Sequence, residues 1–195
     1  EGGLVGIAVE ADSVNGKINQ SGRILVDGGR VYLKVEQAAP AMASAINQQG
    51  IIRANGLSMR DGEIWLDGGS GTVEMSGQLL AKGQADSQSG GNIVLTGSAV
   101  KVDGLIDASG AQGGGKIFIG GGWQGQDPAI REASTVRIGA DARIAADATG
   151  QGDGGTVVAW SAERTQVDGQ ISARGAGMAA AGGQVETSSR GQLGV

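Results

Sequence analysis

The chain has 195 residues, 39 of them Gly, with no Cys, no His and a net charge of −5. That excludes disulfides, thiolate or imidazole metal sites and Cys or His catalysis, and the negative charge argues against a nucleic-acid partner. Glycine without a three-residue period excludes collagen. Hydrophobic residues at 39% that alternate with polar ones argue against disorder, and no run reaches the ~20 apolar residues of a membrane helix, so no membrane insertion is expected.

In chain order, the first recognisable unit is Gly16-Lys-Ile18-Asn-Gln20-Ser-Gly22, an aliphatic residue between small flanks. The same pattern returns around Ile52, Leu79, Ile106, Ile144 and Ile171, at intervals of 34, 27, 27, 38 and 27 residues. A recurring interval of this kind identifies a stacked-repeat architecture. Between these positions lie runs with period-two alternation that follow a glycine: Val31-Tyr-Leu33, Ile64-Trp-Leu66, Ile93-Val-Leu95, Ile117-Phe-Ile119, Val157-Val-Ala159 and Val185. Such alternation predicts strands. A further extended segment is anchored in successive units by Ile46, Val73, Val100, Ile138 and Thr165.

Three strands in about 27 residues, with like residues recurring in register, predict an all-β fold, a right-handed parallel β-helix of about six coils, with 1–195 as one segment. Two residues after each central aliphatic comes Gln20, then Ala54, Ala81, Ala108, Ala146 and Ala173. Glycines at −2 and +4 mark turns at both ends. Two units carry short insertions, at about 37–45 and 123–135. In the second, Asp127-Pro128 reads as a helix start, so a helical turn or two is expected on the same face in both. The chain opens and closes in mid-pattern and reads as an internal segment of a longer protein, with no signal peptide.

From Gly120 onward the sequence runs Gly120-Gly-Gly-Trp123-Gln-Gly125, Ile144-Ala-Ala-Asp147-Ala-Thr-Gly150, Gly152-Asp-Gly-Gly-Thr-Val157-Val-Ala-Trp160-Ser161, Gly169-Gln-Ile-Ser-Ala173-Arg-Gly175 and Gly182-Gly-Gln-Val185-Glu-Thr-Ser-Ser189. This stretch resembles the filamentous haemagglutinin family, the large exoproteins of two-partner secretion. The resemblance implies a secreted bacterial surface adhesin whose β-helical shaft serves attachment and biofilm formation. It also implies an outer-membrane transporter as partner and an extracellular polysaccharide, host or neighbouring cell surface as target.

Two constellations are candidates for chemistry. Asp103, Asp141 and Asp168 precede the turn glycine (or Ala142) in three successive units. They form an acidic ladder that could hold Ca²⁺, or else plain turn residues. No metal or cofactor is assigned. The outward column between the inward pair of each first strand reads Tyr32, Trp65, Val94, Phe118, Val158 and Glu186. Its aromatics Tyr32, Trp65 and Phe118 are either a contact surface for sugar or protein or are covered by the insertions, which leave the same strands. A polysaccharide lyase or glycosidase on the same fold is the alternative. Such an enzyme needs an acid and base converging on one groove, and Arg53, Lys82, Lys101, Arg143 and Arg174 show no repeated pairing with the acids, so no enzyme is expected.

Overall fold

A computed structural model describes residues 6–11, 16–35, 44–56 and 62–195, with the first of these described by its backbone alone. The chain winds as a parallel β-helix of about six turns, with three parallel sheets and one short 3-10 turn as its helical content among the described residues. Sheet 1 stacks Gly6–Ala11, Arg30–Val35, Glu63–Asp67, Asn92–Thr96, Lys116–Ile119, Thr156–Ser161 and Gln184–Ser189. Sheet 2 stacks Ile18–Gln20, Ile46–Gln48, Thr72–Met75, Ala99–Val102, Thr135–Ile138, Arg164–Val167 and Gln192–Gly194. Sheet 3 stacks Arg23–Leu25, Ile51–Arg53, Gln78–Leu80, Leu105–Asp107, Arg143–Ala145 and Gln170–Ser172. Each strand pairs with its counterpart one turn away, so backbone bonding runs along the helix axis.

The core is a set of aliphatic columns. Val31, Ile64, Ile93, Ile117 and Val157 stand in register in sheet 1, each fully buried. In sheet 3 the register links Ile24, Ile52, Leu79, Ile106, Ile144 and Ile171. Ile24, not Ile18, is therefore the first member of that column. Ile18 belongs to sheet 2, opposite Ile46. The correction moves the flanks with it: Val26 donates to Arg53 at the head of the Ala column, and Gly22 sits where Gly16 was expected. Sheet 2 likewise runs through Val136, with Ile138 two residues along the same strand and level with Val102. Both residues face inward and are buried, so period two alone could not separate them.

From Ile24 the first interval is 28 residues, close to the repeat. That near-normal length conceals two departures that cancel. The corner from Ile24 to Val31 is short, and the stretch from Val31 to Ile46 is long. Most of the first expected insertion, residues 37–43, lies outside the described residues, whereas Ala45 is already in the ladder, donating to Thr72.

The second sheet-2 column holds a polar interruption. Gln20 and Gln48 stand where later coils place Met75, Val102 and Ile138. Gln48 Nε2 donates to Gln20 Oε1 at 3.2 Å and to the Gly50 carbonyl at 2.8 Å, but Gln48 Oε1 accepts no bond from the protein. An unsatisfied buried acceptor costs about 1–3 kcal/mol, and Met75 shows that the column takes methionine. Because Gln48 is the donor to the buried Gln20 Oε1, both amides must go together: Gln20→Met with Gln48→Met should raise the chemical-denaturation midpoint by an amount worth about 1 kcal/mol. A midpoint below that of the parent chain would show that the amides are needed.

Candidate functional site

The regular coils leave one irregular surface, the outward face of sheet 1. Tyr32, Trp65, Val94, Phe118, Val158 and Glu186 are in register there, as the alternation predicts. Val94 and Val158 are buried, while Tyr32, Trp65 and Phe118 are half-buried. Tyr32 and Trp65 stack with centroids 6.0 Å apart and planes 10° from parallel. Adjacent turns of a parallel sheet are about 4.8 Å apart, which brings like side chains into this offset stack. Each ring therefore covers part of its neighbour's face.

Glu63, one turn on, anchors this pair. Tyr32 Oη donates to Glu63 Oε1 at 3.0 Å, and Arg30 Nε meets Glu63 Oε2 at 2.8 Å. Burial first, then the bond to Glu63 and its charge, push the Tyr32 phenol upward against a smaller lowering by Arg30. The chain has one tyrosine, so its absorbance titration reads this group alone. The midpoint should lie above the usual value of about 10. Because the folded pKa is raised, the stabilisation is present at neutral pH and lost as pH rises through that value. Tyr32→Phe should abolish this alkaline loss, and an ordinary midpoint would contradict the geometry.

At the other end of the face, the second insertion crosses the sheet as a strap. Thr96 Oγ1 donates to the Arg131 carbonyl, and Ala133 N donates to Gly120 O at 2.6 Å. Asp127 does not begin a helix. Its side chain accepts from Ala129 N in a local turn, and the 3-10 turn lies earlier, at Trp123–Gly125. The backbone groups of the strap are used on the sheet and on its own closure, which overrides the capping signal. Beneath the strap Trp160 is buried, with Gly121 and Gly125 against its ring: a Cβ on Gly125 would lie 2.5 Å from Trp160 Cζ2. The Arg190 guanidinium lies over the same indole, 5.4 Å from its centroid, and meets Glu132 at 3.3 Å.

Trp123, by contrast, is 40% exposed. It borders a cleft of about 560 Å³ shared with Gln124, Trp160, Glu186, Ser188 and Arg190. Gln124 is the one non-glycine at positive φ among the described residues (53°). It is held there by its N–H, which donates to both Glu186 carboxylate oxygens, at 3.1 and 2.9 Å. Ser188 Oγ donates to the same carboxylate. The sequence singled out Glu186 only as the polar member of an apolar column; the register and the strap give it partners 2 and 62 residues away.

The three aspartates do not form one ladder. Gly139 is level with Asp103 and Asp168 in the sheet-2 register, and Asp141 falls in a turn two residues wider than its counterparts. All three are exposed; Asp103 lies 3.8 Å from Arg137, and Asp168 accepts from Gln166. Among the described residues no cluster of three potential ligands could hold a metal ion. The basic residues, scattered in sequence, do pair across coils. Arg53 grips Asp27 through two bonds, Lys82 meets Asp107 at 3.0 Å, and Lys101 meets Glu74 at 2.9 Å. These pairs are partly exposed and contribute about 0–1 kcal/mol each. They tie each coil to the next.

No helix among the described residues is long and apolar enough to cross a membrane. No protein-family model and no curated protein sequence matches the chain. Among solved structures it is similar to the HMW1 secretion domain from Haemophilus influenzae, with a TM-score of 0.77 and 28% identity. The likeness covers 91% of this chain and 45% of that one, so this chain spans a little under half the length of the domain it resembles.

Proposed function

We propose that the chain is a shaft segment of a secreted bacterial surface exoprotein, exported through an outer-membrane transporter and serving attachment. The carrying observation is the likeness to a secretion domain over nearly the whole chain, together with the family-like stretch from Gly120 to Leu193. Three physical features suit export. With no Cys, no disulfide has to form before or after transit. Each coil bonds chiefly to the coil before and after it, so the emerging edge can template the next turn. The stacked geometry then supplies reach, at about 4.8 Å per turn. Attachment to a polysaccharide or a neighbouring cell is assigned to surfaces carried on the shaft, with Tyr32, Trp65 and Phe118 as candidate contacts.

An epitope inserted beside Met178, a fully exposed loop residue, tests this in the full-length parent. The tag should be reached by antibody on intact cells or in the medium when the transporter is present. It should stay inside when the transporter is deleted. A tag confined to the cytoplasm in both strains would overturn the reading. Release of sugar products from any polysaccharide by the purified chain would replace it with an enzymatic one.

A further inference from the structure

We infer that the cleft between Trp123 and Arg190 binds an uncharged pyranose unit of a polysaccharide. The inference rests on the extracellular reading above and names a ligand class and a site for it. Trp123 contributes nothing to the core: no residue of its 3-10 turn is buried. The indole stands at the rim of a concavity that Trp160 and Val185 line on the apolar side and Gln124, Glu186, Ser188 and Arg190 on the polar side, whereas the Trp160 ring itself is packed against the strap glycines. An exposed aromatic face beside mixed donors and acceptors suits a sugar ring, whose C–H face is apolar and whose hydroxyls both donate and accept.

The polar inventory sets the charge preference. Arg190 is held flat on Trp160 and engages Glu132 through Nη2, which leaves its other N–H groups to donate into the cleft. The Glu186 carboxylate is fixed by the Gln124 N–H and the Ser188 hydroxyl and keeps lone pairs for further donors. The charged groups lining the cleft are Glu186 and Arg190, and the Arg190 guanidinium is already engaged by Glu132, on a chain of net charge −5. A uronate would meet repulsion there, and a neutral hexose would not. The left-handed backbone at Gln124 places its N–H on Glu186 rather than in a helical turn, a strained arrangement of the kind found at binding sites.

The test uses the purified 195-residue chain and saturation-transfer NMR with cellohexaose, maltohexaose, mannohexaose and chitohexaose at millimolar concentration, with hexagalacturonate as the charged control. At least one neutral hexamer should bind, and better than hexagalacturonate. Trp123→Ala should weaken it about 10-fold or more and Arg190→Gln by a similar factor, while Lys101→Gln, at an exposed position of sheet 2, should leave it unchanged. Trp123 lies outside the core, so its variant folds and carries the test even if Arg190→Gln does not. No binding by any neutral hexamer, stronger binding of hexagalacturonate, or undiminished affinity in Trp123→Ala would overturn the inference. A chain that is exported but binds no glycan sinks this site alone; a chain that binds glycan but is never exported sinks the proposed function alone.

Discussion

Ile106→Asp should unfold the central coils. Ile106 is fully buried in the sheet-3 column, between Leu79 and Ile144. Removing the aliphatic side chain costs about 2–5 kcal/mol with its cavity. Placing a carboxylate where no cation lies inside the core adds several more. The total rivals the whole stability of an ordinary domain, about 5–15 kcal/mol. In a solenoid the damage spreads through neighbours, because each coil is supported by the two beside it. The expected result is a marked loss of far-ultraviolet strand signal, with proteolytic cleavage in the coils around residue 106. Ile106→Val, costing about 1 kcal/mol, should keep the strand signal and shift melting only slightly. An Asp variant that melts like the parent would mean that the column is not a core column.

That column also shows how much was legible in the sequence. The inward and outward faces of sheet 1 follow directly from period-two alternation, since the inward pair is apolar in each coil from Val31-Tyr-Leu33 to Val157-Val-Ala159. The sheet-3 column was read correctly from Ile52 onward and displaced by six residues in the first coil. The cause is two overlapping matches: Gly16-Lys-Ile18-Asn-Gln20-Ser-Gly22 and Gly22-Arg-Ile24-Leu-Val26-Asp-Gly28 both place an aliphatic residue between glycines. What separates them is a longer word. Ile18-Asn-Gln20-Ser-Gly22-Arg-Ile24 recurs 28 residues later as Ile46-Asn-Gln48-Gln-Gly50-Ile-Ile52, which pairs Ile18 with Ile46 and Ile24 with Ile52.

The cleft was less legible for a different reason. Its residues come from the strap and from a coil about 60 positions later, so no local pattern joins Trp123 to Glu186. The ion pairs were hidden in the same way: Arg53 and Asp27 are 26 residues apart, and Lys101 and Glu74 are 27, which is one turn of the helix. Once the repeat length is known, residues one repeat apart are neighbours, and a scatter of charges becomes a set of pairs.

Gly114→Ala should be the costliest single-methyl change in the chain's second half, and Gly22→Ala should cost almost nothing. At the corner leading into sheet 1, glycines sit on the carbonyls of the Ala column. A Cβ on Gly114 would lie 1.8 Å from Ala146 O and 2.3 Å from Gly155 N, and the equivalent atom on Gly90 would lie 1.7 Å from Ala108 O. These obstacles are backbone atoms held by their own hydrogen bonds, with Gly155 N donating to Ala146 O at 2.7 Å. Relief therefore requires the coil of Gly114 to move away from the next one, which breaks the ladder bond from Thr156 N to Gly115 O (2.9 Å) and loosens the core beneath it. Overpacking against backbone costs about 1–3 kcal/mol or more, and the broken bond adds about 1 kcal/mol. Gly22 stands at the other corner of the coil with nothing within 4 Å of its would-be Cβ, so an added methyl there meets solvent. Thermal melting of the two variants side by side decides the matter. A deficit of several degrees confined to Gly114→Ala supports coil-to-coil contact through glycine as the reason for the chain's composition. Equal melting would mean that the corner carbonyls can give way, and that the glycines are there for turns alone.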